Sequence, residues 1–511
     1  MKTGEFLEGL SAVNARVQWF CYVCRGDDVL QTPVLRGIDL WKPTLVRSGP
    51  NWIFACHGVL PSKIADKRSL KIAIGALPDS GGSLELDLVG GSLAVIADPS
   101  GFTTVFYTSS QGVLGASSHP LSLLLQKGSD LTPDPIYQLE ERIIGLTSVK
   151  RSPFLHVQRL SSMEAIHFRP ASPSVQIRNY RVEPATGKSP ALLGNIGDDL
   201  ARLLEDAVRL CISANPREVA LALSGGIDSS LLAGIGSRLG LRHALTVFSA
   251  PKAKSVGLSA RLTRELNLQH ECIELTPEWV TGSLTRRCIF RAGCAPTLTG
   301  GRLLWYAAQR GYSSVLFGHA GEDIFLRGEK YSDPEKYVAT MVRIMNSCAG
   351  GEEVKASALL SLLSERALVG SDLELLTYLS ESDIARDPHE VGDELESQCL
   401  GIEISVPFLS LPLSEMLMAL SPAQRMYESI GGYWQYRILR SVLRPRLAAQ
   451  VIGGPKEASF STYGPISFAT GDRLQESFGG QCRSLGDAWS VISEALFYPK
   501  TGRPQVETLA G

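Results

Sequence analysis

The pattern of apolar and polar residues changes character near the middle of the chain. Up to about residue 180, short apolar runs are broken by Gly, Pro and Ser, a pattern typical of a β-rich region. From residue 219 onward, apolar strand-like runs alternate with helical patterns, which favours a mainly parallel sheet with helices on both faces. The pattern therefore predicts an α/β chain with a β-rich N-terminal domain and a parallel-sheet C-terminal domain.

Local signals refine this division. Residues 93–98 and 104–107 flank Pro99-Ser100-Gly101, which predicts a β-hairpin. The polar segment 183–192 carries Pro and Gly and is typical of a domain boundary. We therefore expect one domain over residues 1–182, a second over 193–498, and a disordered tail over 499–511.

The second domain opens with an amphipathic helix and continues as alternating strands and helices. Apolar residues recur at helical spacing and should pack on the sheet that follows: Leu200, Leu203, Leu204, Ala207, Val208 and Cys211. Strands are predicted at 219–223, 243–248, 270–275 and 314–317, and helices at 229–239, 257–266 and 300–310. Because ligands of open α/β sheets bind beyond the carboxyl ends of the strands, the loops after Leu223, Phe248 and Phe317 should meet at one site.

Composition narrows the class of protein. The chain has 511 residues, of which 44% are hydrophobic and 20% charged, as in an ordinary soluble globular protein. A net charge of −2 gives no reason to expect a nucleic-acid partner. The sequence lacks an apolar stretch of bilayer-spanning length and a signal-peptide h-region. We therefore expect a cytoplasmic protein without integral membrane contact.

The ten cysteines are scattered, which argues against a disulfide framework. Cys21 and Cys24 form a C-x-x-C motif inside a strand-like run. Residues three apart on a strand point to opposite faces, so joint metal binding is not expected. Both are interpreted as core thiols.

Residues 219–230 carry the strongest chemical signal. Five apolar residues precede Ser224-Gly225-Gly226, and a helix follows. A strand, a Gly-rich turn and a helix N-terminus together present backbone N–H groups that suit a phosphate. Asp228 lies at the lip of this cradle, where it could hold Mg²⁺. The alternative is an ordinary strand–helix turn, since Ser, Gly and Asp are common turn residues.

A second loop follows Phe317 and reads Gly-His-Ala-Gly-Glu-Asp over residues 318–323. Gly318 permits close approach of the backbone to a ligand. The adjacent carboxylates of Glu322 and Asp323 suit Mg²⁺ at a sheet edge. They could equally complement a helix dipole without binding metal.

The string Ser-Gly-Gly-Ile-Asp-Ser at 224–229 resembles the PP-loop of ATP pyrophosphatases, which cleave ATP to AMP and pyrophosphate. The resemblance implies a PP-loop ATP-pyrophosphatase domain of the adenine nucleotide α-hydrolase type, with ATP and Mg²⁺ as cofactors. It implies nucleotide binding by Leu223, Ser224, Gly225, Gly226, Asp228, Ser229, Phe248 and Gly318.

The N-terminal region resembles the glutaminase-type, Ntn-hydrolase-like sandwich domain of glutamine-dependent asparagine synthetases, in Asp98–Tyr107 and in Ala116-Ser117-Ser118. Such a glutaminase needs an N-terminal cysteine as its nucleophile. Lys2 follows Met1, and Cys21 is internal. We therefore expect a degenerate glutaminase domain that serves as a scaffold.

The loop at 318–323 resembles the metal loop of asparagine synthetases and β-lactam synthetases, and most closely that of lasso-peptide cyclases. The resemblance implies that Asp228 and Glu322 bind Mg²⁺, with Asp323 as the adjacent substitute. His319 replaces the Glu or Tyr of the other branches and is the candidate base for an attacking amine. It could instead hydrogen-bond ATP or pack as a loop residue.

The C-terminal part resembles asparagine synthetases in two further places. Residues 402–409 resemble the "V-P-F-L-D" segment, with Ser410 in place of Asp, and 432–440 resemble a "G-W-T-K-Y-L-L-R" helix without its Lys. Arg437 or Arg440 could neutralise phosphate charge, or lie at the surface. Lys456 resembles a β-lactam-synthetase lysine that stabilises acyl transfer, or is a solvated loop lysine. Substrate contacts are expected within 330–400.

These resemblances imply an AMP-forming, ATP- and Mg²⁺-dependent ligase that joins a carboxylate to an amine. The favoured reaction closes a macrolactam on a precursor core peptide, as in lasso-peptide antibiotic biosynthesis. Its expected partners are that peptide, a leader peptidase and a leader-recognition protein. The alternatives are a β-lactam-synthetase-like or asparagine-synthetase-like enzyme acting on a small substrate, and a catalytically silent nucleotide-binding scaffold.

Overall fold

A computed structural model describes about half of each predicted domain. The described residues are 18–24, 45–49, 51–57, 68–74, 82–98, 102–110, 113–120, 123, 134–137, 150–152, 154–160, 164–170, 172–179, 196–212, 215–248, 254–275, 298–327, 392–394, 396–397, 400–420, 424–425 and 433–453. The predicted boundary at 183–192 and the tail at 499–511 lie outside these residues.

The N-terminal half forms two antiparallel sheets. Its strands are β1 Gln18–Cys24, β2 Leu45–Ser48, β3 Trp52–His57, β4 Ser69–Ile74, β5 Gly82–Asp87, β6 Leu93–Ile96, β7 Val105–Ser110, β8 Val113–Ser117, β9 Gln158–Leu160, β10 Glu164–Arg169 and β11 Ser172–Asn179. One sheet has the order β2-β3-β1-β8-β7-β9 and the other the order β11-β10-β6-β5-β4. The β-rich character predicted for this region is confirmed.

Both sheets contribute to one apolar core, because alternate residues of a strand point to the same face. In β5, Leu84 and Leu86 are fully buried while Glu85 between them is exposed. Trp19, Cys21 and Val23 of β1 point into the same core from the other sheet. The two sheets therefore pack face to face as a sandwich.

The predicted hairpin at residues 93–107 is wrong. Strand β6 pairs with β5 and β10 in the five-stranded sheet, whereas β7 pairs with β8 and β9 in the six-stranded sheet. Val95 and Val105 face the shared core from opposite sheets. The connection between these strands crosses the sandwich, an arrangement that local turn signals cannot distinguish from a hairpin.

The C-x-x-C motif lies on β1 as expected. Cys21 faces the sandwich core, and Cys24 is buried on the other face of the sheet. Burial raises the pKa of the Cys21 thiol far above its usual range, so it remains protonated. The interpretation as core thiols is confirmed for this pair.

The C-terminal half is built on a five-stranded parallel sheet with the order β14-β13-β12-β15-β16. Its strands are β12 Val219–Ala222, β13 His243–Phe248, β14 Gln269–Glu274, β15 Ser314–Leu316 and β16 Glu403–Ser405. The helices are α1 Ile196–Ile212, α2 Ile227–Arg238, α3 Lys254–Glu265, α4 Leu298–Gln309, α5 Gly321–Ile324, α6 Leu411–Met418, α7 Trp434–Val442 and α8 Pro445–Ile452, with a 3₁₀ turn at Pro407–Leu409. The boundaries predicted between residues 219 and 317 agree with these to within three residues.

Helices cover both faces of this sheet. Leu221 of β12 packs into a core shared with α1, α2, α6, α7 and α8, and Leu200, Leu204 and Val208 of α1 are fully buried there. The neighbouring Ala220 faces the opposite core, which contains α4 and also Phe102 from the N-terminal half. Among the described helices, none is both long and apolar enough to cross a membrane.

The strand order shows where the winding direction of the sheet reverses. From β12 the chain moves outward through β13 to β14, and then returns to place β15 on the other side of β12. In open parallel sheets, ligands bind beyond the carboxyl ends of the strands where the winding direction reverses. The ends of β12 and β15 form that position here.

Candidate functional site

The turn after β12 is braced by its own serines. The Ser224 and Ser229 hydroxyls lie 3.1 Å apart, and Ser229 Oγ also donates to the Gly226 carbonyl at 3.2 Å. Gly225 has a φ of 78°, a left-handed conformation that glycine adopts without steric cost. The sequence therefore closes a sharp, well-supported turn between strand and helix.

Helix α2 begins directly after this turn, with Gly226 as its N-cap residue and no side-chain cap on its first amides. Ser224 and Gly226 are exposed. An exposed helix N-terminus with uncapped N–H groups carries partial positive charge and suits an anion. The geometry expected of a phosphate cradle is present in this turn.

Leu223 is fixed by three hydrogen bonds at the end of β12. Its N–H donates to the Leu245 carbonyl at 2.8 Å, and its carbonyl accepts from Thr246 Oγ1 at 2.6 Å and from Ser259 Oγ at 3.3 Å. Phe248 ends the adjacent strand β13 and is half-buried. Both predicted nucleotide contacts therefore lie at the carboxyl edge of the sheet.

The loops after β12 and β15 meet, as the strand pattern predicted. A Cβ atom on Gly318 would lie 3.1 Å from the Ser229 amide nitrogen, and one on Gly321 would lie 2.8 Å from Asp228 Cγ. Glycine at both positions lets the second loop approach the start of α2 this closely. The segment that directly follows Phe248, residues 249–253, lies outside the described residues.

The second loop has a constrained backbone. Ala320 and Leu326, on either side of the short helix α5, have φ values of 60° and 52°. Residues with a Cβ atom rarely adopt this conformation, which costs about 1–2 kcal/mol per residue. Such backbone geometry persists where the surrounding contacts determine it, and it is common at functional sites.

Asp228 is the electrostatic centre of the site, and its side chain is 17% exposed. Arg327 contacts its Oδ2, and Gln435 Nε2 donates to its Oδ1 at 3.3 Å and to the Gly321 carbonyl at 2.7 Å. Burial raises the pKa of the Asp228 carboxyl to about 6, because it outweighs the opposing effect of Arg327, and Glu322 adds to the rise. A cation at this position would lower the pKa of Asp228 and so favour the charged carboxylate.

The two predicted metal loops bring their carboxylates to one nitrogen atom. Glu322 Oε2 lies 4.0 Å from Arg327 Nη2, the atom that also contacts Asp228. No group of three or more His, Cys, Asp or Glu side chains in the described part of the chain is arranged to hold a metal. Mg²⁺ commonly uses only one or two carboxylates together with substrate phosphates. The pair therefore fits Mg²⁺, with a guanidinium in the cation position.

His319 lies between the two halves of the molecule. Its ring stacks on Phe317 with centroids 4.7 Å apart, and Phe102 of the N-terminal half lies 6.3 Å away. Its Nε2 is 4.0 Å from Oδ2 of the fully buried Asp393. These contacts orient the imidazole and place a carboxyl group beside it. The catalytic role of His319 stays a prediction.

Other predicted positions are less informative. Lys456, and nearly all of the expected substrate region at 330–400, lie outside the described residues. Arg437 pairs with the exposed Asp198 of α1 at 3.4 Å, and Arg440 is exposed. These placements favour surface roles for both arginines.

Two residues at the site were missed at the level of sequence, Arg327 and Gln435. Arg327 follows the motif by only a few residues, but nothing in a run of residues shows that its side chain returns to Asp228. Gln435 occupies the register in which the "G-W-T-K-Y" string carries its lysine, and that substitution was the available signal. Gln435 is buried and donates hydrogen bonds to both Asp228 and the Gly321 carbonyl, so the residue at this position joins the two loops of the site.

Three solved structures show distant similarity to this chain. U34-tRNA thiolase NcsA from Methanococcus maripaludis, solved with its [4Fe-4S] cluster, is 12% identical over 61% of this chain and 83% of its own, with a TM-score of 0.24. NMN synthetase from Francisella tularensis is 17% identical over 44% and 92%, with a TM-score of 0.19. NH3-dependent NAD synthetase from Campylobacter jejuni, in complex with nitrate, is 17% identical over 37% and 92%, with a TM-score of 0.21.

Family comparison is more decisive than these distant structural likenesses. A search of curated proteins found no match. The family model described as asparagine synthase matches residues 199–482, more than half of the chain. This match covers both loops of the site, the strands that carry them, and helix α7 with Gln435. The chain belongs to the asparagine synthase family.

Proposed function

We propose that this protein is an ATP- and Mg²⁺-dependent ligase that adenylates a carboxylate and closes a macrolactam on a peptide. Membership of the asparagine synthase family supports ATP-dependent ligase chemistry. The observation that carries the proposal is the meeting of two glycine-containing loops beyond β12 and β15, where Gly318 and Gly321 lie against Ser229 and Asp228.

Different residues at the site would bind different parts of the nucleotide. Backbone amides at the start of α2 would receive the phosphates, with Ser224 and Gly226 exposed beside them. Leu223, Phe248 and Gly318 would contact the rest of the nucleotide at the sheet edge. Asp228 and Glu322 would hold Mg²⁺, with Asp323 as the adjacent substitute, and the ion would neutralise phosphate charge.

The proposed reaction has two balanced steps. A side-chain carboxylate oxygen attacks the α-phosphorus of ATP, the bond to the β-phosphate oxygen breaks, and pyrophosphate leaves. The peptide amine then attacks the acyl carbon, and AMP leaves with the electrons of the C–O bond. The amine gives up its proton to His319, whose reference pKa of about 6.5 suits proton transfer near neutrality. Lys456 would stabilise the oxyanion.

A peptide is the proposed substrate because His319 occupies the second position of the loop, as in the lasso-peptide cyclases that the sequence resembles. In this proposal the antiparallel sandwich is a degenerate glutaminase domain that acts as a scaffold, and Phe102 and Thr104 extend from it toward the site. Thr104 N–H donates to the buried Glu394 at 3.2 Å, which joins this scaffold to the segment facing His319. A leader peptidase and a leader-recognition protein are the proposed partners.

Release of AMP and pyrophosphate from ATP tests the proposal. Candidate core peptides with a free N-terminal amine and an Asp or Glu side chain should give both products together with a peptide lighter by one water. Asp228→Asn should reduce adenylation at least 100-fold, whereas Asp206→Asn on the exposed surface of α1 should leave it unchanged.

Three outcomes would contradict parts of this proposal. Turnover of aspartate with ammonia would replace the peptide cyclase by an asparagine-synthetase-like enzyme. Turnover of a small amino acid to a β-lactam would replace it by the other small-substrate alternative. No AMP and pyrophosphate with any of these substrates would leave a nucleotide-binding scaffold.

A further inference from the structure

We propose that Arg327 is a built-in counter-ion of the Asp228–Glu322 pair, which occupies the divalent-cation position until metal enters together with nucleotide. The inference rests on the proposed function for the identity of the cation and the nucleotide. It adds a positioning residue and an order of binding, and its test needs neither ATP turnover nor a peptide substrate.

The geometry supports a shared cation position. Arg327 Nη2 contacts Asp228 Oδ2 and lies 4.0 Å from Glu322 Oε2, so a single nitrogen lies between two carboxylates from different loops. The Arg327 side chain is only 5% exposed, which distinguishes this pair from ordinary surface ion pairs of the chain. By comparison, Arg209 and Glu205 on α1 are 57% and 42% exposed.

Of the two described side chains that contact Asp228 through hydrogen bonds, Gln435 is neutral and Arg327 carries the balancing positive charge. Gln435 binds the second oxygen of Asp228 and contributes no charge. Glu322 and Asp323 both act electrostatically on Asp228, and Arg327 opposes them. One guanidinium therefore lies beside two carboxylates, those of Asp228 and Glu322, and a divalent cation would balance that charge better than a monovalent one.

Arg327 is held in place by charge more than by a complete set of hydrogen bonds. Its Nε is buried and has no hydrogen-bond partner among the described residues. An arginine with an unsatisfied buried donor gains if it moves to an anion, such as a phosphate, that accepts two of its hydrogen bonds at once. Leu326, directly before it, has a φ of 52°, so the backbone that presents Arg327 is itself constrained.

An order of binding follows from these contacts. Metal alone must displace a buried guanidinium without offering it another anion. The metal should therefore bind weakly. A nucleotide offers phosphate oxygens to the displaced guanidinium, and this exchange frees both carboxylates for the ion. Arg327 thereby couples metal binding to nucleotide binding.

Electron paramagnetic resonance of Mn²⁺, measured without nucleotide, tests whether Arg327 occupies the cation position. Wild-type protein should bind Mn²⁺ weakly, and Arg327→Gln should bind it at least 10-fold more tightly because the carboxylates are free. Arg327→Lys keeps the positive charge and should remain close to wild type. Arg327→Gln combined with Glu322→Gln should return to weak binding, and Arg209→Gln should match wild type.

Thermal unfolding gives a second readout that does not depend on a signal from bound metal. Mn²⁺ should raise the Tm of Arg327→Gln clearly more than that of wild type. Unchanged or weaker Mn²⁺ binding by Arg327→Gln, or equal gains in Arg327→Gln and Arg327→Lys, would overturn the proposal. Failure of the proposed function would appear separately, as wild-type protein that forms no AMP and pyrophosphate but still shows this metal response.

Discussion

Gly321 lies against Asp228 so closely that a Cβ atom on the glycine would be 2.8 Å from the carboxyl carbon. These residues belong to loops that are almost a hundred residues apart in the chain, and they meet where the sheet changes its winding direction. Gly321 therefore brings the second predicted metal loop against the first.

Replacing Gly321 by Ala should therefore disrupt the site. The added methyl group must displace Asp228 or the loop, and such overpacking costs about 1–3 kcal/mol. We expect lower stability in chemical denaturation and a loss of AMP and pyrophosphate formation. Gly257→Ala is the matched control, because Gly257 lies in α3 with no atom near its missing Cβ. That control should be neutral or stabilising by up to about 1 kcal/mol, and equal losses in both variants would contradict this account.

Gln435→Ala should weaken the same region by a different route. It leaves the Gly321 carbonyl and Asp228 Oδ1 without the donor that now serves both, at 2.7 and 3.3 Å. Loss of a partner by buried polar groups costs about 1–3 kcal/mol, measurable by urea denaturation. Gln309→Ala at the exposed end of α4 should change stability by less than about 0.5 kcal/mol. Unaltered stability of Gln435→Ala would show that water replaces the amide.

His319→Phe should separate packing from proton transfer. A phenyl ring can keep the stack on Phe317, now at 4.7 Å between centroids, but it cannot accept a proton. If His319 is the base, amide formation slows by about 100-fold or more while adenylation continues, because general-base catalysis contributes on this scale. The two steps are followed separately by single-turnover measurement of adenylate and amide. Equal slowing of both steps would instead assign His319 to nucleotide binding.

Glu271 should make stability depend on pH. Burial acts to raise the pKa of its carboxyl, but hydrogen bonds from Tyr306, Arg310 and Tyr312 outweigh it and hold the pKa below its usual range. A depressed pKa stabilises the folded protein above the unfolded-state value of about 4.3, and this contribution is lost as pH falls through the folded-state pKa.

The measurement compares Glu271→Gln with wild type in urea denaturation between pH 3 and pH 7. The variant should be less stable by about 1–2 kcal/mol at pH 7, and the difference should shrink below about pH 4. Glu205→Gln on the exposed face of α1 is the control and should show little difference at any pH. A constant difference across this range would rule out the proposed role of the carboxylate charge.

Cys21→Ala should reduce stability without reducing activity. The thiol is fully buried in the sandwich core, so its removal leaves a small cavity and costs on the order of 1 kcal/mol. Cys21→Ser should cost more, because the hydroxyl would be buried among apolar side chains. Cys272→Ala at an exposed position is the control for both. A specific loss of ligase activity in Cys21→Ala, at unchanged stability, would contradict the interpretation as a core thiol.

Local patterns were sufficient for the parallel-sheet half because each element there carries its own signal. The apolar run before the Ser-Gly-Gly turn became β12, and the apolar spacing of Leu200, Leu204 and Val208 became the buried face of α1. Parallel strands buried on both faces leave continuous apolar runs in the sequence. The convergence of the two loops also followed from sequence, since alternating strands and helices place the carboxyl ends of the strands on one edge.

Pairing between strands was not determined locally. Residues 93–107 carry a turn signal between two apolar runs, yet β6 and β7 belong to different sheets. Both arrangements bury the same side chains, including Val95 and Val105, so the local pattern satisfies either one. Only the competition for partners among the N-terminal strands, eleven of which the structure describes, decides which sheet each strand joins.

The amino-acid sequence by itself determined the Ser-Gly-Gly turn after β12, the edge of the sheet at which it lies and the family to which the chain belongs. It did so because backbone geometry and apolar periodicity are short-range properties. Tertiary structure alone decided that Arg327 and Gln435 reach Asp228, and that His319 stacks on Phe317 beside Asp393. Those contacts join residues about seventy to two hundred positions apart, or depend on side-chain direction, and neither is encoded in any local pattern.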